Sequence, residues 1–472
     1  YGIWPLAWFA LVPALVAQFR LLPTRWSSLG CAIYTGLWLG PFLARLFGSG
    51  FGPVFQYLGV LIAVITFFTA KERIFHERTS YRWFIAYGVI NWVGFEMIRA
   101  TFIPIVATSA FIGYTQATQP WIIQPVSIFS VYGLNILIIL VNYTLAQSLM
   151  TILDRHGLAT GSIQVDPRAT RRWLIGTGSA LVGWVLVSLI ILLTLPEMPS
   201  VRVASLRPNF PIPAHQDTVN TDQVRFDTFA EQALEAADKG AQIIYSPEMM
   251  FNFDPQHSYT QEFRDLAART NAYLFLSYTV SKEGQDWRNE AVMLSPSGVF
   301  SEVYGKYHTW MIGEQPTPSA GKFPVFSTPL GKSAIQICHD NNYTDVARKL
   351  AGNGAQIIGA PFREFAGFGE QAWTNALFRA VENRAAVVVI GVSSVSAIIN
   401  PNGSLVALDT DINGSRMTMV GDVTLGSGGA PYTLLGDVLG WTMLAAYIFF
   451  MIYPSIVNRR ANLKADVKMP AE

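Results

Sequence analysis

Segment 334-AIQICHDNNY-343 carries one of the two cysteines of the 472-residue chain, and its pattern decides the expected fold of the second half of the chain. Apolar residues lead into Cys338, and polar residues follow it at once. This pattern predicts a buried strand that ends at a cleft. The cysteine is then expected at the tip of the strand, followed by His339 and Asp340.

Further strands and helices are expected on either side of this segment. Short apolar segments flanked by turn residues predict buried strands at 201–208, 241–248, 272–280, 290–298, 355–361 and 385–394. Segments 221–241 and 370–385 have the helical spacing of Phe, Leu and Ala, and NPNG at 400–403 predicts a hairpin turn. Strands that alternate with helices predict an α/β layered domain.

The rest of the chain is apolar enough to lie in a membrane. The composition is 51% hydrophobic and 14% charged, with a mean hydropathy of +0.31, which is too apolar for an ordinary soluble protein. Apolar runs near the length that crosses a bilayer, about 20 residues, lie at 4–22, 29–47, 54–70, 83–107, 121–149, 173–195 and 434–453. We therefore expect a polytopic helical membrane domain at 1–197, the α/β domain at 198–429, and a last span with its tail at 430–472.

Basic residues in the short loops predict the orientation of the spans, because Lys and Arg close to a span stay cytoplasmic. These residues are Arg20, Arg25, Lys71, Arg73, Arg78, Arg155, Arg168, Arg171, Arg172, Arg459, Arg460 and Lys464. The loops that carry them alternate with poorly charged loops. The α/β domain and Tyr1 are therefore expected outside the cytoplasm, and we infer that a further span precedes Tyr1.

Charge and cysteine content argue against two other classes of protein. The formal net charge of +1 gives no reason to expect a nucleic acid as partner. Cys31 lies in an apolar run and Cys338 in the more polar half, so a disulfide framework is not expected. Cys31 is expected to be a small apolar filler of a membrane helix.

Three predicted strand ends carry the reactive side chains of Glu248, Lys306 and Cys338. They suit acyl transfer, because the carboxylate can take the thiol proton and the ammonium can stabilise an oxyanion. Each residue alone has a plainer explanation, since strand-end Glu and Lys are usually solvated rim charges and a lone Cys is often an inert buried thiol. The residue types alone leave both interpretations open.

The order and contexts of these residues resemble the carbon-nitrogen hydrolase (nitrilase) family. Glu248 lies in PE, Lys306 lies in GKYH with Glu314 eight positions on, and Cys338 ends a strand. A nitrilase-like domain before the last span of a polytopic chain resembles the apolipoprotein N-acyltransferase family, as do WVGFEMIRA at 92–100 and PYTLLGD at 431–437. That family usually has Tyr-Glu after the nucleophile, where this chain has His-Asp.

The resemblance implies an α-β-β-α sandwich and a role for each residue of the site. Cys338 is the expected nucleophile, Glu248 the general base, Lys306 the oxyanion-stabilising cation, and Glu314 a second carboxylate that positions the base and the lysine. An acyl chain from a phospholipid is expected to pass through a Cys thioester to the N-terminal amine of a diacylglyceryl-cysteine lipoprotein. No metal or organic cofactor is implied. We expect a monomer in the bacterial cytoplasmic membrane, with the catalytic domain on the extracytoplasmic side.

Neighbouring residues are expected to support this site. His339 has no second His or Cys at ligand spacing, so packing or a hydrogen bond is expected of it rather than metal binding. Asp340 is expected to cap the following turn or to orient Lys306. Glu96 and Arg99 lie one helical turn apart in a span, where they either pair to lower the cost of burial or grip a lipid headgroup phosphate.

An aromatic stretch is a candidate lid over the site. Its members are Phe362, Phe365, Phe368 and Trp373. Their glycine-rich spacing favours a mobile loop that dips into lipid, although packing in the core is the alternative.

Three rival functions remain open at the level of sequence. A membrane-anchored amidase or nitrilase-type hydrolase has the same fold and nucleophile. An acyltransferase with a different acceptor is a second rival. A non-catalytic scaffold that binds lipoprotein is the third, and the presence of Glu248, Lys306 and Cys338 together argues against it, because a binding module has no use for them.

Overall fold

The computed structural model describes residues 3–30, 52–69, 72–103, 107–160, 163–210, 221–281, 287–310, 313–363 and 366–466, with single positions at 32, 33, 36, 40, 41, 44 and 212. Within these residues, the part before residue 200 is helical and the part after it holds two β-sheets. The described α-helices are α1 (Val12–Val16), α2 (Gly52–Thr69), α3 (Glu72–Arg78), α4 (Phe84–Phe102), α5 (Pro120–Ile123), α6 (Val126–Arg155), α7 (Pro167–Leu193), α8 (Asp222–Asp238), α9 (Thr260–Thr270), α10 (Asp345–Gly352), α11 (Ala366–Asn383), α12 (Pro431–Leu435) and α13 (Val438–Asp466).

The described strands form two six-stranded sheets. They are β1 (Ser200–Arg207), β2 (Ile243–Tyr245), β3 (Tyr273–Val280), β4 (Arg288–Leu294), β5 (Tyr304–Gly305), β6 (Phe326–Thr328), β7 (Gly331–Ile335), β8 (Ile357–Arg363), β9 (Ala386–Val392), β10 (Ser396–Ile399), β11 (Leu405–Asp409) and β12 (Met417–Thr424). The first sheet has the order β12-β1-β2-β3-β4-β5, and the second has the order β11-β10-β9-β8-β7-β6.

Each sheet has a parallel centre and antiparallel edges. β1, β2 and β3 are parallel, as are β7, β8 and β9, and all other neighbours are antiparallel. The register places Ala334 of β7 opposite Ile358 of β8. All seven strands expected from the sequence are present, and the hairpin turn at 400–403 joins β10 to β11. The short strands β5 and β6 have too few residues to produce an alternating pattern.

The two sheets pack face to face and bury the apolar residues between them. Tyr245 of β2 lies over Gly359 of β8, where a Cβ atom would stand 2.3 Å from Tyr245 Cε1, so any side chain at this position would clash. Ser205 Oγ of β1 donates a hydrogen bond to Val389 O of β9 at 3.2 Å. These contacts align the two sheets with each other, and with them the edges at which the parallel strands of both sheets end.

Helices cover the outer face of each sheet. Phe229 of α8 and Phe263 of α9 are buried against the first sheet. Leu350 of α10 and Leu377 of α11 are buried against the second. The amphipathic pattern at 221–241 thus corresponds to α8 and the pattern at 370–385 to most of α11, and the domain is an α-β-β-α sandwich.

Among the described residues, four helical stretches have the length and composition of membrane spans, and they are Trp4–Leu21, Pro53–Arg78, Val126–Arg155 and Pro167–Leu193. A shorter apolar helix covers Val438–Ile452. These five stretches overlap five of the seven expected spans. α4 occupies most of the span expected at 83–107. Most of the span expected at 29–47 lies outside the described residues.

α6 and α11 join the membrane helices to the sandwich. α6 is kinked at Ser130, whose φ is 55° and ψ is 177°. The kink leaves Val131 N without an intrahelical acceptor, and it donates instead to Glu382 Oε1 of α11 at 2.8 Å. Glu382 also pairs with Arg379 at 3.0 Å, and both side chains are fully buried. The sandwich is therefore joined to the kinked end of a membrane helix by a hydrogen bond to one member of a buried ion pair.

Candidate active site

Cys338 lies beyond the carboxyl end of β7, as the sequence predicts. It opens the 3-10 turn Cys338–Asn342 with a φ of +48°, a left-handed conformation that costs a non-glycine residue on the order of 1 kcal/mol. The residue is only 6% exposed, and its Sγ lies 3.6 Å from Arg363 O at the end of β8. The thiol therefore stands at the edge where the parallel strands end.

The membrane part of the chain supports the turn that carries the thiol. Thr108 Oγ1 donates to Asn342 O at 2.7 Å, and Thr108 N donates to the same oxygen at 3.1 Å. Tyr114 OH donates to Thr108 Oγ1 at 2.9 Å and accepts from Arg379 Nη2 at 3.0 Å. A buried polar chain thus connects the cysteine turn to the seam between α6 and α11.

Lys306 lies between two carboxylates. Its Nζ is 3.4 Å from Glu248 Oε1 and 3.0 Å from Glu314 Oε2, and all three side chains are at most 3% exposed. Asn289 Nδ2 donates to Glu248 Oε1 at 2.7 Å, and Lys306 N donates to Asn289 O at 3.0 Å. Residues that follow β2, β5 and β7 are thereby brought together, with Glu314 from the loop after β5.

The thiol, the carboxylates and the ammonium are electrostatically coupled. Burial raises the pKa of Glu248; Lys306 and hydrogen bonds from the Cys338 thiol and Asn289 oppose this rise, and Glu314 adds to it. Burial lowers the pKa of Lys306, but the acidic groups of Cys338, Glu248 and Glu314 outweigh this effect and hold that pKa well above its usual value. Lys306 is therefore an ammonium, and Glu248 is a stronger base than an exposed carboxylate.

Among the buried oxygens of this cluster, Glu314 Oε1 and Asn289 Oδ1 accept no hydrogen bond from the residues that the structure describes. An unsatisfied buried acceptor costs about 1–3 kcal/mol, so such atoms in a native structure call for an explanation. A substrate group that donates a hydrogen bond, such as an amine, can satisfy them.

Asp340 ties the cysteine turn to the segment that carries Lys306. Its carboxylate accepts from Tyr304 OH at 2.6 Å, from His308 N at 2.7 Å and from Ile337 N at 3.1 Å. Tyr304 and His308 stand on either side of Lys306 in the chain, two residues away from it. Burial raises the pKa of Asp340, while His308 and the hydrogen bonds oppose the rise. Both roles expected for Asp340, capping its turn and orienting the lysine, agree with this geometry.

His339 packs among aromatic rings. Its ring lies edge-on to Trp310 and Tyr343, with centroids 5.6 and 5.2 Å away, and its Nδ1 is 3.2 Å from Asn342 Nδ2. Over the described part of the chain, no group of three or more His, Cys, Asp or Glu side chains is placed to hold a metal ion. The surroundings of His339 agree with the packing and hydrogen-bonding role expected of it.

Glu96 and Arg99 lie in the membrane part, in α4, and do not form the ion pair that their spacing allows. Glu96 accepts hydrogen bonds from Asn135 Nδ2 at 2.6 Å and from Trp92 Nε1 at 3.1 Å. The Arg99 guanidinium instead lies over the ring of Phe111, with Cζ 5.2 Å from the ring centroid. The two charges therefore act on each other without direct contact.

The aromatic stretch is packed inside the protein, which does not agree with a mobile lid. Phe362 is in strand β8 and is fully buried, while Phe368 and Trp373 in helix α11 are 6% and 7% exposed. Phe365 lies outside the described residues. Glycine spacing suggested a loop, but the strand and helix on either side of residues 364 and 365 bury these three rings, as the core alternative predicts.

Sequence reasoning missed several residues of the site. Asn289 gives a weak signal, since it is a polar residue in a strand that continues with apolar residues. Thr108 and Tyr114 give none, because Thr108 meets the cysteine turn across 234 positions of sequence.

Comparison with known proteins gives matches for both parts of the chain. Residues 202–429 match the family described as carbon-nitrogen hydrolase, and residues 1–144 match the family described as apolipoprotein N-acyltransferase N-terminal domain. The chain is 24% identical to the apolipoprotein N-acyltransferase of Geobacter metallireducens over 498 residues, which covers 94% of this chain and 90% of that protein.

Other relatives match the sandwich alone. The deaminated glutathione amidase of Homo sapiens is 28% identical over 227 residues, which covers 41% of this chain and 68% of that protein. Among solved structures, an amidase from Nesterenkonia sp. is 18% identical with a TM-score of 0.40, and the match covers 49% of this chain and 92% of that one.

Proposed function

The chain belongs to the apolipoprotein N-acyltransferase family of carbon-nitrogen hydrolases, and from this premise we propose that it moves a fatty acyl chain from a phospholipid to the N-terminal amine of a diacylglyceryl-cysteine lipoprotein. The acyl chain is carried as a thioester on Cys338. The observation that carries this proposal is the buried Lys306, held between two carboxylates beside the only thiol of the sandwich.

In the first half-reaction, Cys338 Sγ attacks an ester carbonyl of the phospholipid. Glu248 takes the thiol proton, and the Lys306 ammonium stabilises the negative charge that forms on the carbonyl oxygen. The carbon–oxygen bond to the glycerol then breaks, and Glu248 returns the proton to the glycerol oxygen. A thioester and a lysophospholipid result.

In the second half-reaction, the lipoprotein amine attacks the thioester carbonyl. Lys306 again faces the oxyanion, and Glu248 takes a proton from the amine and returns it to the departing thiolate. Glu314 Oε1, which accepts no hydrogen bond from the described residues, suits an N–H of the incoming amine. The products are an amide and the free thiol, and neither half-reaction needs a cofactor.

We extend the proposal to the domain boundaries, the oligomeric state and the location of the protein. The boundaries 1–197, 198–429 and 430–472 separate the first spans, the catalytic sandwich and the last span, and we take the protein to be a monomer. The family match supports a bacterial inner-membrane location, and the alternation of basic loops supports an orientation with the sandwich outside the cytoplasm.

The thioester is the point at which this proposal is tested. After incubation of the purified protein with phospholipid, mass spectrometry should detect an acyl adduct on the peptide that contains Cys338. Cys338→Ala should abolish the adduct, and Cys31→Ala, which changes the other cysteine of the chain, should leave it unchanged. An adduct that persists in Cys338→Ala would disprove the mechanism. Release of product from a soluble amide without lipid would favour the hydrolase instead.

Orientation is tested separately, with a membrane-impermeant thiol reagent on intact spheroplasts. Cys338 should react slowly but detectably from outside because it is 6% exposed, and Cys338→Ala should remove this signal. Labelling that needs broken membranes would reverse the orientation.

A further inference from the structure

We propose that Arg99 binds the phosphate of the phospholipid donor at the lipid-facing side of α4. This inference rests on the proposed function, because it identifies where the donor headgroup sits. It goes beyond that function in assigning a phosphate site outside the catalytic sandwich.

Arg99 shares one face of α4 with two lipid-exposed rings. Phe95, Arg99 and Phe102 follow the spacing i, i+4, i+7, which places them on one side of a helix. Phe95 is 53% exposed and Phe102 is 66% exposed. Large apolar side chains that are this exposed on a membrane helix face acyl chains. Arg99 therefore lies on a face that lipid molecules reach.

The Arg99 guanidinium is in direct contact with no carboxylate of the described residues, although the charge of Glu96 acts on it from a distance. The Arg99 guanidinium makes no hydrogen bond and no ion pair there, and its nearest defined partner is the face of the Phe111 ring. Glu96 is the acidic residue closest to it in the chain, but Asn135 and Trp92 occupy its oxygens. A charged side chain inside a membrane normally meets an opposite charge or water. The N–H donors of Arg99 are thus left for an anionic group from outside the chain.

A phosphate is the anion that fits this position. Arg presents several N–H donors in a planar fork that matches phosphate oxygens, and these charge-assisted hydrogen bonds are among the stronger ones in proteins. Arg99 also lies in the last turn of α4, close to the level at which the chain leaves the helix. In a bilayer, phosphates lie at that level.

The position of Arg99 also suits the reaction. Its neighbour Phe111 donates a backbone hydrogen bond to Thr108 O at 3.2 Å, and Thr108 holds the cysteine turn through Asn342 O at 2.7 Å. In a phospholipid, only the glycerol separates the phosphate from the ester carbonyls. A phosphate on Arg99 would therefore direct an ester of the same molecule toward Cys338.

Arg99→Gln is the main test, with Arg82→Gln as a matched control that removes an exposed arginine next to the opposite end of α4. Formation of the Cys338 adduct is measured with phosphatidylglycerol in detergent micelles and with p-nitrophenyl butyrate, which lacks a phosphate. Arg99→Gln should raise the KM for the phospholipid on the order of tenfold, the loss expected for a charged hydrogen bond, and should leave the ester reaction unchanged. Arg99→Lys should recover part of the loss, and Arg82→Gln should resemble the wild type.

Equal losses with both donors would make Arg99 a structural residue, and no loss with either would leave it without a role; both outcomes overturn the proposal. A wild-type protein that forms no adduct with phospholipid but forms one with the ester would contradict the proposed function and not the phosphate site specifically.

A second measurement does not depend on whether the variant folds. With the wild-type protein, dodecyl phosphate should compete with phosphatidylglycerol, and dodecanol at the same concentration should not. Inorganic phosphate should also fail to compete, because it lacks the chain that holds a lipid at α4. No competition by dodecyl phosphate would overturn the site, and equal competition by inorganic phosphate would reassign it to free phosphate.

Discussion

Two buried charged clusters, one at the carboxyl end of α6 and one in the sandwich, are built differently. At the end away from the sandwich, Arg20 Nε is 2.8 Å from Asp154 Oδ1, and Arg20 Nη1 donates to Tyr81 OH at 2.6 Å. Asp154 Oδ2 also accepts from Val165 N at 2.9 Å. We call Arg20, Tyr81 and Asp154 the anchor cluster. In the sandwich, Lys306 and its two carboxylates form the catalytic cluster.

The two clusters differ in the number of hydrogen-bonding groups that remain available to a substrate. In the anchor cluster, one cation meets one carboxylate, and both oxygens of Asp154 are engaged. In the catalytic cluster, one cation meets two carboxylates, and Glu314 Oε1 accepts nothing from the described residues. Balanced charge and complete hydrogen bonding suit a structural role, whereas surplus acceptors around a single ammonium suit proton transfer. Substitutions should therefore affect stability in the anchor cluster and rate in the catalytic cluster.

The largest effect is expected for Glu248→Gln. Because the amide cannot take the thiol proton, the rate of thioester formation should fall by about 10²- to 10⁴-fold. In the wild type, burial raises the pKa of Glu248, so the rate should decrease as the pH falls through that raised pKa and the base becomes protonated. The measurement is the rate of adduct formation against pH by mass spectrometry. Alkaline pH should partly restore the variant, since the thiol then ionises without the base; a variant insensitive to pH would contradict this role.

A smaller effect, on both half-reactions, is expected for Lys306→Met. Loss of the group that stabilises the oxyanion typically lowers a rate by about 10²- to 10³-fold. Single-turnover experiments that follow acylation of Cys338 and its release to an amine separate the two steps. Both steps should slow, and alkaline pH should not restore them as it does for Glu248→Gln. If only acylation slowed, Lys306 would not act on the second oxyanion.

The anchor cluster should affect stability without affecting the chemistry. Arg20→Met leaves the buried carboxylate of Asp154 without its cation, which typically costs about 3–5 kcal/mol. Thermal unfolding in detergent should detect this loss, and the folded fraction should keep its adduct-forming rate within a few-fold of the wild type. The double variant Arg20→Met/Asp154→Leu should recover much of the stability. A rate loss comparable to that of Lys306→Met would remove the distinction between the clusters.

The smallest effect is expected at Asp345, which lies at the surface near the catalytic cluster. Burial raises its pKa, but hydrogen bonds and charges from His308, at 2.8 Å, and Lys349 outweigh this and lower the pKa to about 2. A carboxylate with a lowered pKa adds stability above its unfolded pKa, about 3.9, and loses that contribution as the pH falls toward 2. Asp345→Asn should thus lower the Tm at pH 6 and have little effect near pH 2. A Tm difference independent of pH would rule out this ionisation.

Elements that depend on short stretches of chain could be predicted from the sequence. A central strand that is buried on both faces produces a short apolar run, so the strands around Ala334 and Val387 could be predicted. A helix that crosses the bilayer produces a longer apolar run, so most of the spans could be predicted as well. The end of β7 at Cys338 was also predicted, because the change from apolar to polar residues is local.

Which of these residues meet depends on packing between elements that are distant in the chain. Lys306 lies between Glu248 and Glu314 because two sheets and a loop converge, and no local pattern encodes the distances of 3.4 and 3.0 Å. Glycine spacing predicts a lid, whereas Phe368 and Trp373 are buried on α11, and Trp373 packs into the core with the second sheet. Glu96 and Arg99 have the spacing of an ion pair, yet Asn135, from another helix, takes the carboxylate. In each case the deciding contact joins residues far apart in the chain, and its energy depends on geometry that only packing supplies.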